Sequence, residues 1–179
     1  CDPGEDLIKI ARSKGFTTIC NDEIIYIDPR NKELGARGIV NLEKLYLSIK
    51  KLELKLEDSK NYYELSYNLG IAQINTKNLQ EKVFGLECNF EELNGIDFKK
   101  GCYVGQENTA RMKLKNKLRK KLFAVKSNEK LKVGSDINYN SVKIGQIVID
   151  EPYPFGLIKI VDPDFSEYKD KDLLINDSK

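Results

Sequence analysis

The chain has 179 residues, 40% of them hydrophobic, with 30 basic against 28 acidic side chains and a net charge of +2. That length suits one large domain or a domain with a small appendage, and so balanced a charge excludes polyanion binding by overall charge alone. There is no His, which excludes a Ser–His or Cys–His hydrolase within this chain and removes the commonest metal ligand.

Residues 2–12 carry apolar side chains at a helical spacing, with Asp2 as cap, Pro3 at the first helical position and Gly15 as stop. Residues 16–20 and 23–27 read as two short strands, and Asn21-Asp22 between them suggests a tight hairpin. Asp28-Pro29-Arg30 ends the second strand, and Ile39-Val40 reads as a further one. Over 41–56 helix and strand compete, because the later part alternates leucine with charge. Residues 62–69 read as a helix closed by Gly70, and 75–84 as a loop with a short helix. A helix start is expected after Gly105. From Lys121 onward, short apolar runs at 122–125, 137–139, 143–149 and 155–160 alternate with turn residues, and 173–175 can add a last strand. Such regular short strands suggest a small antiparallel barrel.

Cysteines occur at 1, 20, 88 and 102 with no C-x-x-C pair, so neither a zinc set nor a secreted disulfide framework is expected. No apolar run approaches the ~20 residues of a membrane span. The chain opens on Cys1 in what reads as the middle of a domain, so a preceding portion is expected.

The most informative stretch is Lys100-Gly101-Cys102-Tyr103-Val104-Gly105-Gln106-Glu107. A cysteine stands between two glycines, ahead of a helix start and after Lys99 and Lys100, and Arg111 follows about one turn into that helix. The helix N-terminus and the cations favour a thiolate at Cys102, whereas Glu107 opposes it. Gln106 offers an amide, Lys100 a charge for a carboxylate and Tyr103 a ring for stacking. Without His, acid–base chemistry around Cys102 would need Glu107 or a lysine. More than half of residues 111–122 are Lys or Arg. This strip reads either as a solvated helix end running into a strand or as an attractor of polyanions such as RNA phosphates. No aromatic residue interleaves with it, which argues against base stacking.

The string K-G-C-Y-V-G-Q-E followed by Arg111 resembles the signature of the YgfZ-type folate-binding proteins, relatives of the aminomethyltransferase of the glycine cleavage system. Asp28-Pro29-Arg30 with Leu34, Gly35 and Arg37 resembles a second element of that family, although Arg30 and Arg37 read equally well as loop-surface charges. Leu86-Glu87-Cys88-Asn89-Phe90 resembles the segment leading into its Cys motif. The resemblance implies an α+β fold: a partial aminomethyltransferase-like folate-binding domain over 1–118, then a small antiparallel β-barrel over 119–179. It implies an accessory factor in iron–sulfur cluster assembly or repair that supports tRNA modification indirectly. Cys102 would be the functional thiol, and tetrahydrofolate, possibly polyglutamylated, would be held by Lys100, Tyr103, Gln106, Glu107, Arg111, Glu87, Arg30 and Arg37. The implied partners are folate and iron–sulfur client proteins or assembly factors, with no direct nucleic acid, membrane or metal ligation. The implied location is the bacterial cytoplasm or, in a eukaryote, the mitochondrial matrix. The chain departs from the family at Ser66 (an arginine there), Ala72 (a proline) and Asn68 (about where the transferase branch has a folate-contacting glutamate). These departures count against pterin binding in the standard manner. The rival readings are a folate-dependent aminomethyl (one-carbon) transferase and a basic RNA-binding module. The transferase has aspartate and phenylalanine where this chain has Cys102 and Tyr103.

Overall fold

The computed structural model describes residues 17–20, 23–99, 106–115 and 117–176. The expected helix over 2–12 and the hairpin turn at Asn21-Asp22 lie outside them. The chain divides into two compact units at the Tyr62–Tyr63 bond.

The first unit holds a three-stranded antiparallel sheet, β1 (Thr17–Cys20), β2 (Glu23–Ile27) and β3 (Ala36–Ile39), with β2 in the centre. β1 and β2 match the expected strands closely. β3 begins three residues before the expected Ile39-Val40 strand, because Gly35 with φ +80° turns the chain into register with β2. Ala36 then lies opposite Ile27 and Ile39 opposite Ile24.

Helix α1 (Leu42–Lys51) resolves the competition over 41–56. Asn41 caps it, its side-chain oxygen accepting from the amides of Glu43 (2.9 Å) and Lys44 (3.3 Å). Lys50 and Lys51 sit in the last turn, where the helix dipole favours cations. Glu53 takes a left-handed conformation, so the alternating Leu-Lys-Leu tail continues neither as helix nor as strand.

Helix α2 (Ser59–Asn68) ends at Gly70, whose φ is +72°. It starts three residues before the expected 62–69. In the second unit, Tyr67 donates its hydroxyl to the Val125 carbonyl (2.5 Å) and sets its ring edge-on to Phe155. The loop with a short helix expected over 75–84 is present as a single 3₁₀ turn at Thr76–Leu79. Helix α3 (Gln106–Leu114) begins directly after Gly105, as expected.

The later strands are β4 (Lys120–Ala124), β5 (Asp136–Tyr139), β6 (Val142–Ile149), β7 (Phe155–Lys159) and β8 (Leu174–Asn176). They form one antiparallel sheet in the order β4-β7-β6-β5-β8. The two faces of β4 separate two cores, as the period of two requires. Leu122 packs with Leu79, Ile149 and Phe155, while its neighbour Phe123 packs against Ile137, Ile144, Ile147 and Ile158.

Where a small antiparallel barrel is expected, the described residues form an antiparallel sheet that is not closed. Closure would need β4 to pair with β8, but β8 is three residues long and pairs with β5. The far edge of β4 is occupied by the segment around Glu87: the Leu122 amide donates to the Glu87 carbonyl (2.8 Å), and Asn89 Nδ2 donates to the Leu122 carbonyl (2.7 Å). That cover satisfies an edge otherwise open to pairing.

Candidate functional site

Lys100, Cys102 and Tyr103 lie outside the described residues. Gln106 is the first residue of α3. The remaining residues expected at the site fall into two groups, one in each unit.

In the first unit, Arg30 and Arg37 converge on Asp28. The Asp28 carboxylate is buried, with 1% side-chain exposure. It accepts from Arg30 Nε (3.0 Å), Arg30 Nη2 (2.8 Å), the Arg30 amide (3.0 Å) and Arg37 Nε (2.6 Å). Both guanidiniums also donate to the Tyr62 hydroxyl, at 2.9 Å from Arg30 and 2.5 Å from Arg37. The hydrogen bond from Arg30 holds the Asp28 pKa down at about 2 against the opposing effect of burial. The same contact raises the Arg30 pKa above its ordinary value. The Asp-Pro-Arg turn puts Asp28 and Arg30 on one side of a tight corner, and Arg37 reaches them from β3. Tyr62 was not expected at this site. Its only signal in the sequence is an aromatic hydroxyl on a helix.

In the second unit, Glu87 and Arg111 line one cleft of about 500 Å³ with Phe84, Asn108, Met112, Lys117, Arg119 and Lys120. Glu87 is committed locally: its carboxylate accepts from the Phe84 amide at 2.9 Å. Arg111 pairs with Glu107 one turn earlier on α3, and both side chains are mostly exposed. Cys88 lines another cavity, of about 440 Å³, with Ala72, Leu79, Val83 and Leu122 among others. Burial, with the Glu87 charge beside it, pushes the Cys88 thiol up, so it is a poor thiolate. Of the positions that depart from the family, Ser66 is buried and its hydroxyl accepts from Gln73 Nε2 (2.5 Å).

The described residues expected to hold tetrahydrofolate are thus already engaged: Arg30 and Arg37 with Asp28, Glu87 with a backbone amide, Arg111 with Glu107. The described residues contain no cluster of Cys, Asp and Glu able to hold a metal ion, and no helix among them is long and apolar enough to cross a membrane.

No protein-family model matches the chain. It is similar to proteins named iron-sulfur cluster assembly factor IBA57 homolog, mitochondrial. The one from Dictyostelium discoideum is 38% identical over 104 residues, which cover 56% of this chain and 25% of that protein. The one from Neurospora crassa is 37% identical over 96 residues, covering 54% of this chain and 21% of its own. The one from Aspergillus oryzae is 45% identical over 56 residues, 31% of this chain and 12% of that protein. The matched part is therefore about a quarter of these relatives' length or less.

Proposed function

We propose that this chain is a YgfZ-type folate-binding protein, part of an accessory factor in the assembly or repair of iron–sulfur clusters. The observation that carries this reading is the similarity to proteins named as iron–sulfur cluster assembly factors, at 38% identity over more than half of the chain. The relatives' names point to the mitochondrial branch and to partners in the iron–sulfur assembly machinery. Support of tRNA modification would follow indirectly, through iron–sulfur client enzymes.

Cys102 is the proposed functional thiol. It precedes α3 by four residues in sequence, and cations flank it at Lys99, Lys100 and Arg111, a setting that favours the thiolate. Cys88, with its raised pKa, is a poor alternative. Tetrahydrofolate is proposed as the ligand on the resemblance, with Lys100, Tyr103, Gln106, Glu107, Arg111, Glu87, Arg30 and Arg37 as the candidates to bind it. The domain boundary at 118/119 and an aminomethyltransferase-like architecture belong to the same proposal.

The test is complementation of a strain lacking its own assembly factor, with the full-length gene and its Cys102→Ser variant, reading the activity of an iron–sulfur enzyme. Rescue by wild type alone is expected. Failure of the wild type rejects the assembly role, and equal rescue by both rejects the thiol's part. Titration of the purified protein with tetrahydrofolate tests the ligand separately, and absence of binding removes it.

A further inference from the structure

Lys120 and Lys159 are direct partners across the β4–β7 ladder. Like charges directly opposite each other in a sheet repel. Among the described residues no carboxylate pairs with either lysine, nor with the exposed Lys117 and Arg119. The neighbouring cations contrast with these four: Lys113 pairs with Glu91, Lys121 with Glu92 and Lys143 with Asp136.

The unpaired cations stand around two clefts that share Lys120. The first is the 500 Å³ cleft, whose apolar parts come from Phe84 and Met112 and whose rim carries Lys117 and Arg119. The second, of about 260 Å³, lies over the sheet, with Leu157 and Val148 as apolar lining and Lys143 and Lys159 at its sides. Glu87 is the one carboxylate among the described lining residues of the two, and it is turned to the Phe84 amide. Gly145 in the second cleft is fixed by packing, since a Cβ there would stand 2.7 Å from the Leu157 carbonyl oxygen.

We propose that these two clefts form one docking surface for an acidic segment of a partner protein, its carboxylates meeting Lys117, Arg119, Lys120 and Lys159 and its apolar side chains entering the clefts. Charge complementarity selects the class of occupant: an apolar lining with four unpaired cations fits a chain that alternates acidic and apolar groups. Nucleic acid fits less well. Phe84 is the one aromatic ring among the described lining residues, and base-tolerant strand binding depends on successive rings. The inference does not depend on the iron–sulfur reading.

The test uses the full chain and a fluorescein-labelled peptide of alternating Glu and Leu, with a Gln/Leu peptide and a single-stranded RNA oligonucleotide as comparisons. Anisotropy should show binding of the Glu/Leu peptide that weakens as salt is raised. The Gln/Leu peptide should bind roughly tenfold more weakly or worse. K120E/K159E and K117E/R119E should each weaken Glu/Leu binding by about tenfold while circular dichroism stays unchanged. Should K120E/K159E fail to fold, the exposed K117E/R119E pair carries the test. Equal binding of the two peptides, or no effect of a folded charge-reversal variant, overturns the proposal. So does tighter binding of the RNA that the same variants abolish.

Discussion

Arg30 grips Asp28 through two parallel hydrogen bonds, from Nε at 3.0 Å and Nη2 at 2.8 Å, and the carboxylate they hold is almost wholly buried. Arg37 adds a third side-chain bond to it from the neighbouring strand. A buried charge is tolerable only when so fully paired, which makes this cluster a fold determinant of the first unit before it is anything else.

The cluster sets a limit on acid stability. The Asp28 pKa is about 2 when folded, against an ordinary value of 3.8. A depressed carboxyl pKa means that the unfolded chain binds the proton more readily. The contribution, about 2 kcal/mol, is therefore complete above pH ~4–5 and declines as pH falls through 3.8 toward 2. Acid titration followed by circular dichroism should show this decline in the wild type, and Asp28→Asn should remove that part of it. An unchanged acid limb in the variant would show that Asp28 does not carry it.

Replacing Arg30 with lysine keeps the charge but not the fork. Arg30→Lys should lower stability by about 1–2 kcal/mol, since one ammonium cannot span both carboxylate oxygens and the Tyr62 hydroxyl in the same plane. Urea denaturation measures it as a lower midpoint at constant slope. A midpoint equal to that of the wild type would contradict the bidentate role.

Gly145 should resist even the smallest side chain. An added Cβ would meet the Leu157 carbonyl oxygen at 2.7 Å and the Ile158 Cα at 3.1 Å, both backbone atoms of the adjacent strand. Gly145→Ala should cost about 1–3 kcal/mol because β6 and β7 must separate to admit it. A thermal melt of the variant checks this, and a melting temperature at or above the wild-type value would refute the close approach.

Cys88 and Cys102 should differ in reactivity. Burial and the charge of Glu87 raise the Cys88 pKa, so alkylation by iodoacetamide at neutral pH should be slow there. Cys102, flanked by cations in sequence, should label first. Mass spectrometry of digested, briefly labelled protein reads the order directly, and preferential labelling of Cys88 would reverse the assignment of the functional thiol.

Much of the local structure was legible because it rests on local physics. Asn41 announces the start of α1 as an acceptor for amides that a helix leaves unbonded. Gly70 marks the end of α2 by its left-handed conformation. The strands around 122–125, 143–149 and 155–160 stood out as short apolar runs between turn residues. Whether those strands close into a barrel was not legible. Strand runs and turns are the same for an open sheet and a closed one, and the difference lies in which strand reaches the edge of β4. That edge is taken by the backbone of Glu87 and the side chain of Asn89, more than thirty residues earlier in the chain.

By itself, the sequence determined the absence of His, the cysteine between two glycines ahead of a helix, the Asp-Pro-Arg corner and the alternation of strands with turns. Each is a matter of composition or of neighbours within a few residues. The tertiary structure alone decided that Arg30, Arg37 and Tyr62 close on Asp28, that Cys88 is half-buried beside Glu87, and that Lys120 faces Lys159. Those outcomes depend on strand register and on which surfaces lose water, and both are set by contacts between residues far apart in the chain.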